Sequence, residues 1–376
     1  MLFFDNASTT KPFNEVNDIV NHYNMVDFYN PSAIYGCAFS ISNQIKEAKL
    51  SLLNLLKARK TDNFIFTSCA TESNNMVLRA FAKKNGKILV SMGEHPAIYN
   101  TALDLKNMGY NVDFIALNPN GQVDENDLIN KLTPDVNLVS IIHVNNETGA
   151  INDIKHLVEI VKRKNNKILF HSDGVQAFGK IDVNLTDLGV DFYTISGHKI
   201  HATKGIGGLF VANSKYLKPL LTGGGQQDNF RSGTENVSGI MALKTAAEIE
   251  IKNLSKNSEN VSKLKQFFIE TLDKSLPYKV VCDGVGSPYI VMVLCAGCRA
   301  ETIVHMLEED GVIVGNGSAC SSKKRENRNL SALKYNASDV EGAIRVSFSE
   351  FNTLDEVKTL VEKLNLRVKE YLQKVR

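Results

Sequence analysis

The sequence predicts an α/β protein in which a large unit on a mainly parallel sheet is followed by a smaller α+β unit. Three observations predict it. Between about residues 40 and 212, short apolar runs alternate with helix-sized segments, the pattern of strand–helix–strand units. Beyond about residue 236 that alternation gives way to one long helical stretch and a few further strands. The 376 residues allow two or three domains at roughly 150 residues each, and 43% apolar with 22% charged residues is ordinary globular usage.

The elements follow in order. Ser40 to Leu56 sets Ile41, Ile45, Ala48, Leu52 and Leu55 on one helical face. Asn63–Thr67 is a short apolar strand, and a helix opens near Glu72. Further buried-strand candidates are 87–90, 111–115, 138–143, 167–171, 191–195 and 208–211, which makes seven in the large unit. Val237 to Leu276 reads as helical, 278–282 and 289–294 as strands, Ala300–Glu309 as a helix, and 312–314 and 344–348 as strands. Thr353-Leu-Asp-Glu356 is a capping box opening the last helix. The first dozen residues are expected to pack with the small unit. The domains are therefore 15–250, and 1–14 with 251–376.

Several function classes are excluded. Lys+Arg 43 against Asp+Glu 41 leaves no basic footprint for nucleic acid and no polybasic membrane signal. The start, Met1 to Asp5, is no signal peptide, and the longest apolar run, Tyr289 to Gly297, is half a membrane span. Six scattered cysteines are too few for a disulfide scaffold. The expectation is a soluble cytoplasmic protein with free thiols.

Ligands of an α/β sheet gather at the carboxyl ends of its strands. Four such ends carry polar sets: Ser68–Glu72, Val144–Gly149, Ser172–Gln176 and Ser196–Lys199. Pyridoxal phosphate (PLP) needs a lysine for its aldehyde, an acid for its ring nitrogen and donors for its phosphate. Lys199 and Asp173 suit the first two roles. Ala70 and Thr71, opening a helix, suit the third together with Ser196 and His198. Taken singly, each is also an ordinary turn or solvated residue; their conjunction carries the reading.

Two motifs are set aside. Gly174 to Lys180 fits GxxxxGK, but Ile181 stands where a nucleotide-binding loop needs Ser or Thr. Cys295-Ala-Gly-Cys298 has no second pair at ligand spacing, so no metal site is expected. Cys320 differs from the other cysteines. It lies in Gly315-Asn-Gly-Ser-Ala-Cys-Ser-Ser322, among small residues and ahead of the basic Lys323–Arg325 and Arg328. Such surroundings favour a thiolate and suit a nucleophile on a mobile arm, although a chance thiol in a surface loop fits the same letters.

At this point the chain resembles the cysteine desulfurases, PLP enzymes of the class V aminotransferase group, of the type with a long catalytic-cysteine loop. The motifs that carry the resemblance fall in family order: Phe4–Thr10, Asn30-Pro-Ser32, Ala70–Asn75, Glu94–Ala97, Val144–Gly149, Ser196–Lys199, Arg231–Asn236 and Gly317–Cys320. The resemblance implies PLP-dependent fold type I, with a seven-stranded large domain. It also implies that Lys199 binds the cofactor covalently, Asp173 pairs with the ring nitrogen, Gln176 with the phenolic oxygen, and His95 stacks on the ring. Ala70, Thr71, Ser196 and His198 would hold the phosphate, with Thr234 from the second subunit of a homodimer, and Asn146 would lie beside the ring. Asn30 and Arg345 would take the carboxylate of L-cysteine. Cys320 would receive the sulfur as a persulfide and pass it to an acceptor for iron–sulfur assembly or for tRNA or cofactor thiolation, leaving alanine.

Departures from the family pattern occur at Cys69, at His201-Ala-Thr-Lys204, at Tyr35–Ala38 and at Gln227–Phe230. Another class V enzyme, a selenocysteine lyase or an aminotransferase, is the alternative; an aminotransferase has no need of Cys320. A non-catalytic scaffold has no need of Lys199 and Asp173. The Lys323–Arg328 run reads either as a solvated basic loop or as a dock for an acidic acceptor.

Overall fold

The computed structural model describes residues 1–212, 217–284, 286–317 and 327–375. Cys320 and Lys323–Arg325 lie outside the described residues. Twelve strands form two sheets among the described residues. They are β1 (Leu2–Phe4), β2 (Asn63–Thr67), β3 (Lys87–Ser91), β4 (Asn111–Ile115), β5 (Val136–Ser140), β6 (Leu169–Asp173), β7 (Phe192–Ser196) and β8 (Gly207–Val211). The rest are β9 (Tyr278–Val281), β10 (Ile290–Cys295), β11 (Val312–Asn316) and β12 (Ala343–Ser347).

The large sheet has seven strands in the order β2-β8-β7-β6-β5-β3-β4. Only β8 runs against its neighbours, so the other six end on the same rim. Its strands are near-continuous apolar runs because helices cover both faces. On one face pack Ile41, Leu52, Val158 and Ile240; on the other, Met76, Leu78, Ile98 and Leu105. Glycines let β8 pass close beneath its neighbours. A Cβ on Gly208 would lie 2.1 Å from the Phe64 ring, and one on Gly207 would lie 2.9 Å from the Cys69 carbonyl carbon.

The small sheet has the order β1-β11-β12-β10-β9. The expected docking of the N-terminus is explicit here, since β1 pairs in parallel with β11, Leu2 opposite Val312. Phe4, Phe268, Ile303, Phe348 and Leu364 fill the core of this unit. The helix Val237–Thr271 serves both units: Ile240 and Leu243 pack on the large sheet, while Val261, Leu264 and Phe268 pack on the small one. The division drawn at 250/251 falls inside this unbroken helix. The capping box forms as read, with Thr353 N donating to Glu356 Oε2 at 3.0 Å and Glu356 N to Thr353 Oγ1 at 3.3 Å.

Two differences have local causes. Helix Asn14–Met25, not among the elements read, carries Val16, Ile19, Val20 and Tyr23 at helical spacing, with only Val16 fully buried. β6 starts later than read and runs to Asp173, which pairs with Thr194 in the ladder, so the acid is the last residue of the strand itself.

Candidate active site

The parallel rim opens into a cavity of about 310 Å³ between the two sheets. Its walls include Ala70, Thr71, His95, Asn146, Asp173, Gln176, Ser196, His198, Lys199 and Arg345, from five strand ends and the small sheet. Sequence positions spread over 275 residues therefore meet at one place (70 to 345).

One end of the cavity is built by helix Ala70–Phe81. Its N-cap residue, Cys69, offers no side-chain hydrogen bond, so the first-turn amides keep their donors and the positive end of the helix dipole is uncapped. Ser196 pairs with Gly207, which packs against Cys69 and Ala70, so the Ser196 hydroxyl shares this end. Cys69, unassigned on sequence, also lines the cavity.

The same helix supports the acid. Asn74 Nδ2 donates to Asp173 Oδ2 at 2.7 Å, and the Val175 amide donates to Oδ1 at 3.1 Å. The carboxylate is 2% exposed. Behind it lies Glu94, fully buried, with Oε1 accepting from the Ile142 amide at 2.6 Å and from Ser91 at 2.9 Å. Burial and then the nearby Asp173 push the Glu94 carboxyl up to about 8.

Lys199 ends a short turn, Gly197–Lys199, that follows β7. Its Nζ donates to the carbonyls of Ala7 at 2.6 Å and Ser8 at 2.7 Å. Burial, and then the positive charges of Lys180 and Arg345, push the amine down to about 7. His95 caps the helix Pro96–Asn107, its Nδ1 accepting from the Ala97 amide at 3.1 Å. A neutral ring therefore carries its proton on Nε2, and burial lowers its basicity. Burial and the neighbouring Lys199 bring His198 down to about 4.

Arg345, on β12, reaches across from the small sheet. It donates to Asp5 Oδ1 at 2.8 Å, to Ser8 Oγ at 2.5 Å and to the Asn146 carbonyl at 2.7 Å. Its Nε and the Asn146 Oδ1 are buried without a hydrogen-bond partner. The Gln176 amide is engaged at both ends, donating to Ala7 O at 2.9 Å and accepting from Lys180 Nζ at 2.8 Å. The rejected GxxxxGK lysine thus props the cavity wall from behind.

Two expected residues are not brought to this cavity. Asn30 is exposed and accepts from the Ser32 amide at 3.0 Å. Thr234 is exposed and lies outside the wall. One further expectation is corrected. Arg328, counted in a solvated basic run, packs its guanidinium 3.8 Å over the Tyr99 ring and donates to Met92 O at 3.1 Å. The described ends of the segment that holds Cys320 meet, since the Asn327 amide donates to Gly317 O. Asn327 also reaches Glu147 Oε2 at 2.8 Å, beside the rim. Cys295 and Cys298 are buried, and burial pushes the Cys298 thiol up to about 11, which is wrong for a redox pair.

The donor set fits PLP. An acid anchored by two hydrogen bonds would suit a basic ring nitrogen, an amine of lowered basicity an aldehyde, and an uncapped helix N-terminus a phosphate. The unpartnered Asn146 oxygen supplies a further polar contact at the wall.

A fold and rim of this kind define a class of cofactor-dependent α/β enzymes, and the comparisons narrow it. The family model described as aminotransferase class-V matches residues 2–360. A cysteine desulfurase IscS from Dictyoglomus turgidum is 35% identical over 96% of this chain and 95% of its own length. A NifS-like protein of known structure superposes with a TM-score of 0.92 at 29% identity, covering 98% of this chain and 99% of that one. A structure described as SspA in complex with cysteine superposes with a TM-score of 0.82 at 25% identity, covering 94% of this chain and all (100%) of that one. The chain belongs to the class-V aminotransferase family, in its cysteine desulfurase branch. Enzymes of this family work with PLP.

Proposed function

We propose that the protein binds PLP and removes sulfur from L-cysteine, giving L-alanine and a persulfide on Cys320 that passes to acceptor proteins for iron–sulfur assembly or thiolation. The observation that carries this reading is the meeting of Lys199, Asp173 and the uncapped helix N-terminus in one cavity. A structural relative described as bound to cysteine supports the substrate.

When bound, PLP supplies an electron sink for negative charge formed at the substrate Cα. The chain's own groups do the rest. Asp173 would keep a proton on the ring nitrogen, and the amides of Ala70 and Thr71 would hold the phosphate with Ser196 and His198. Lys199, about half of it neutral at pH 7, would hold the cofactor and would take the substrate α-proton at Nζ. His95 would face the ring, with Nε2–H as its available donor. Arg345 orients the substrate carboxylate. The Cys320 thiolate attacks the substrate sulfur. The Cβ–S bond breaks, an S–S bond forms on Cys320, and the electron pair left on carbon is protonated on the way to alanine.

Two further features complete the reading. Met25, Val26, Phe28, Ile34, Tyr35 and Phe39, which flank Asn30 in the sequence, are exposed and apolar, and we take them as one surface. A homodimer through this surface would cover it and would bring Asn30 and Thr234 to the partner's cavity. The domain division is 15–250, and 1–14 with 251–376. The decisive experiment incubates the PLP-loaded protein with L-cysteine and follows alanine and the mass of Cys320. Wild type gains one sulfur. Cys320→Ser keeps the cofactor colour and forms no persulfide. If that variant releases alanine at the wild-type rate, the proposal fails and a different class V chemistry takes its place.

A further inference from the structure

Behind the cavity, on the far side of the Lys199 turn, lies a second polar cluster that the proposed chemistry does not use. Its members are His201, Glu250 and Glu350, from three separate parts of the chain. His201 is 2% exposed and Glu250 4%. His201 Nε2 lies 3.2 Å from Glu350 Oε1 and 3.6 Å from Glu250 Oε1. Around it stand the rings of Phe13 and Phe351, at 4.7 and 5.1 Å from the imidazole.

The backbone determines what the imidazole presents. His201 Nδ1 lies 2.6 Å from the Lys11 carbonyl, so Nδ1 carries the proton and donates it. The neutral ring then turns a lone pair, on Nε2, toward two carboxylate oxygens. Glu350 Oε1 is buried and makes no hydrogen bond. Three acceptors thus converge in a space that needs a cation. Lys180 Nζ lies nearby but is held by Gln176 Oε1 at 2.8 Å, and Asn257 neighbours Glu250. A histidine fixed by a carbonyl on its far nitrogen is the usual arrangement of a metal-ligating imidazole. Atoms bound to an ion at about 2.0–2.2 Å sit roughly 3.3–3.6 Å apart in a tetrahedral shell, and these spacings come close to that before any adjustment.

We propose that His201, Glu250 and Glu350 form a structural site for a divalent first-row transition ion, separate from the PLP cavity. One imidazole and two carboxylates suit Mn²⁺, Fe²⁺ or Zn²⁺. The site ties together the Lys199 turn, the helix Val237–Thr271 and the segment after β12. Lys11, which orients the imidazole, comes three residues after Ser8, whose carbonyl holds Lys199.

Mn²⁺ is the probe, because the chain's free thiols favour Zn²⁺. Purified PLP-loaded protein, stripped with a chelator, is dialysed against Mn²⁺, and metal per chain and Tm are read. Wild type retains one Mn²⁺ per chain and its Tm rises with Mn²⁺ concentration. Glu350→Gln, of the same shape, binds at least about 100-fold more weakly and loses the Tm response. Glu250→Gln is the second variant should the first not fold. His201→Asn, which suits the left-handed backbone at φ +63°, should lose the ion as well. Two results overturn the proposal: wild type that retains no Mn²⁺ and shows no Tm response, which would leave protons as the only cations, or variants that retain as much as wild type.

Discussion

The charge state of Lys199 gives the sharpest prediction. An ordinary lysine, at 10.5, is neutral at pH 7 in roughly one molecule in 3,000. With the amine pushed down to about 7, roughly one in two is neutral, a gain on the order of 1,500-fold. Cofactor-free protein should therefore capture added PLP with a rate that rises through a midpoint near pH 7 and levels off above about pH 8. A peptide lysine should instead rise tenfold per pH unit to about pH 10. Replacing Lys180, the second cause of the shift after burial, tests the electrostatic part. Lys180→Met removes a neighbouring positive charge, so the midpoint should move to higher pH. The assay is stopped-flow absorbance of the yellow adduct, with Lys199→Ala as the blank. A wild-type midpoint above about pH 9, or a Lys180→Met midpoint that moves down, would refute the reasoning.

Further outcomes follow from other parts of the molecule. Glu94 is held at about 8 in the folded protein against an ordinary 4.5, so between those values the unfolded chain releases a proton that the folded one keeps. Stability from this group is full below about pH 4.5 and falls as pH rises toward 8, by at most roughly 5 kcal/mol. Glu94→Gln should raise Tm at pH 8 and leave it nearly unchanged at pH 5; a pH-independent difference counts against the assignment. Gly174→Ala puts a Cβ 2.0 Å from the Tyr193 ring, whose hydroxyl bonds His143 at 2.8 Å next to Asp173. It should cost about 1–3 kcal/mol in urea denaturation and weaken PLP retention; an unchanged midpoint would contradict the close contact. Ile34→Asp charges the exposed apolar surface and should yield monomers by light scattering with little persulfide formed. A dimer at unchanged activity would move the interface elsewhere.

Much of this architecture was legible because it is written locally. Runs such as Asn63–Thr67 and the polar residues after them announce a strand and its rim within ten residues. Lys199 and Asp173 could be paired on sequence because each stands at the carboxyl end of its own strand. The support behind them was not legible. Lys199 is held by carbonyls 191 and 192 residues away, and a carbonyl carries no side-chain signature. The engagement of Arg345 with Asp5, 340 residues apart, is equally silent. Thr234 was expected to act from a second subunit and Asn30 on the substrate carboxylate, and in this chain both are exposed and outside the cavity wall. Arg328 was misread because charge alone does not reveal an aromatic ring waiting beneath it.

The pairing of β1 with β11 has a consequence for how the protein is made. Leu2 finds its sheet partner, Val312, only after some three hundred further residues have been added. At about 5–20 residues per second that is a wait of roughly 15–60 s. Throughout it Ala7 and Ser8 have no anchored strand to hold them against Lys199. The large sheet can assemble meanwhile, but the floor beneath its lysine arrives last. Cofactor loading therefore waits on that pairing, and deletion of Leu2–Phe4 should yield a folded, colourless protein.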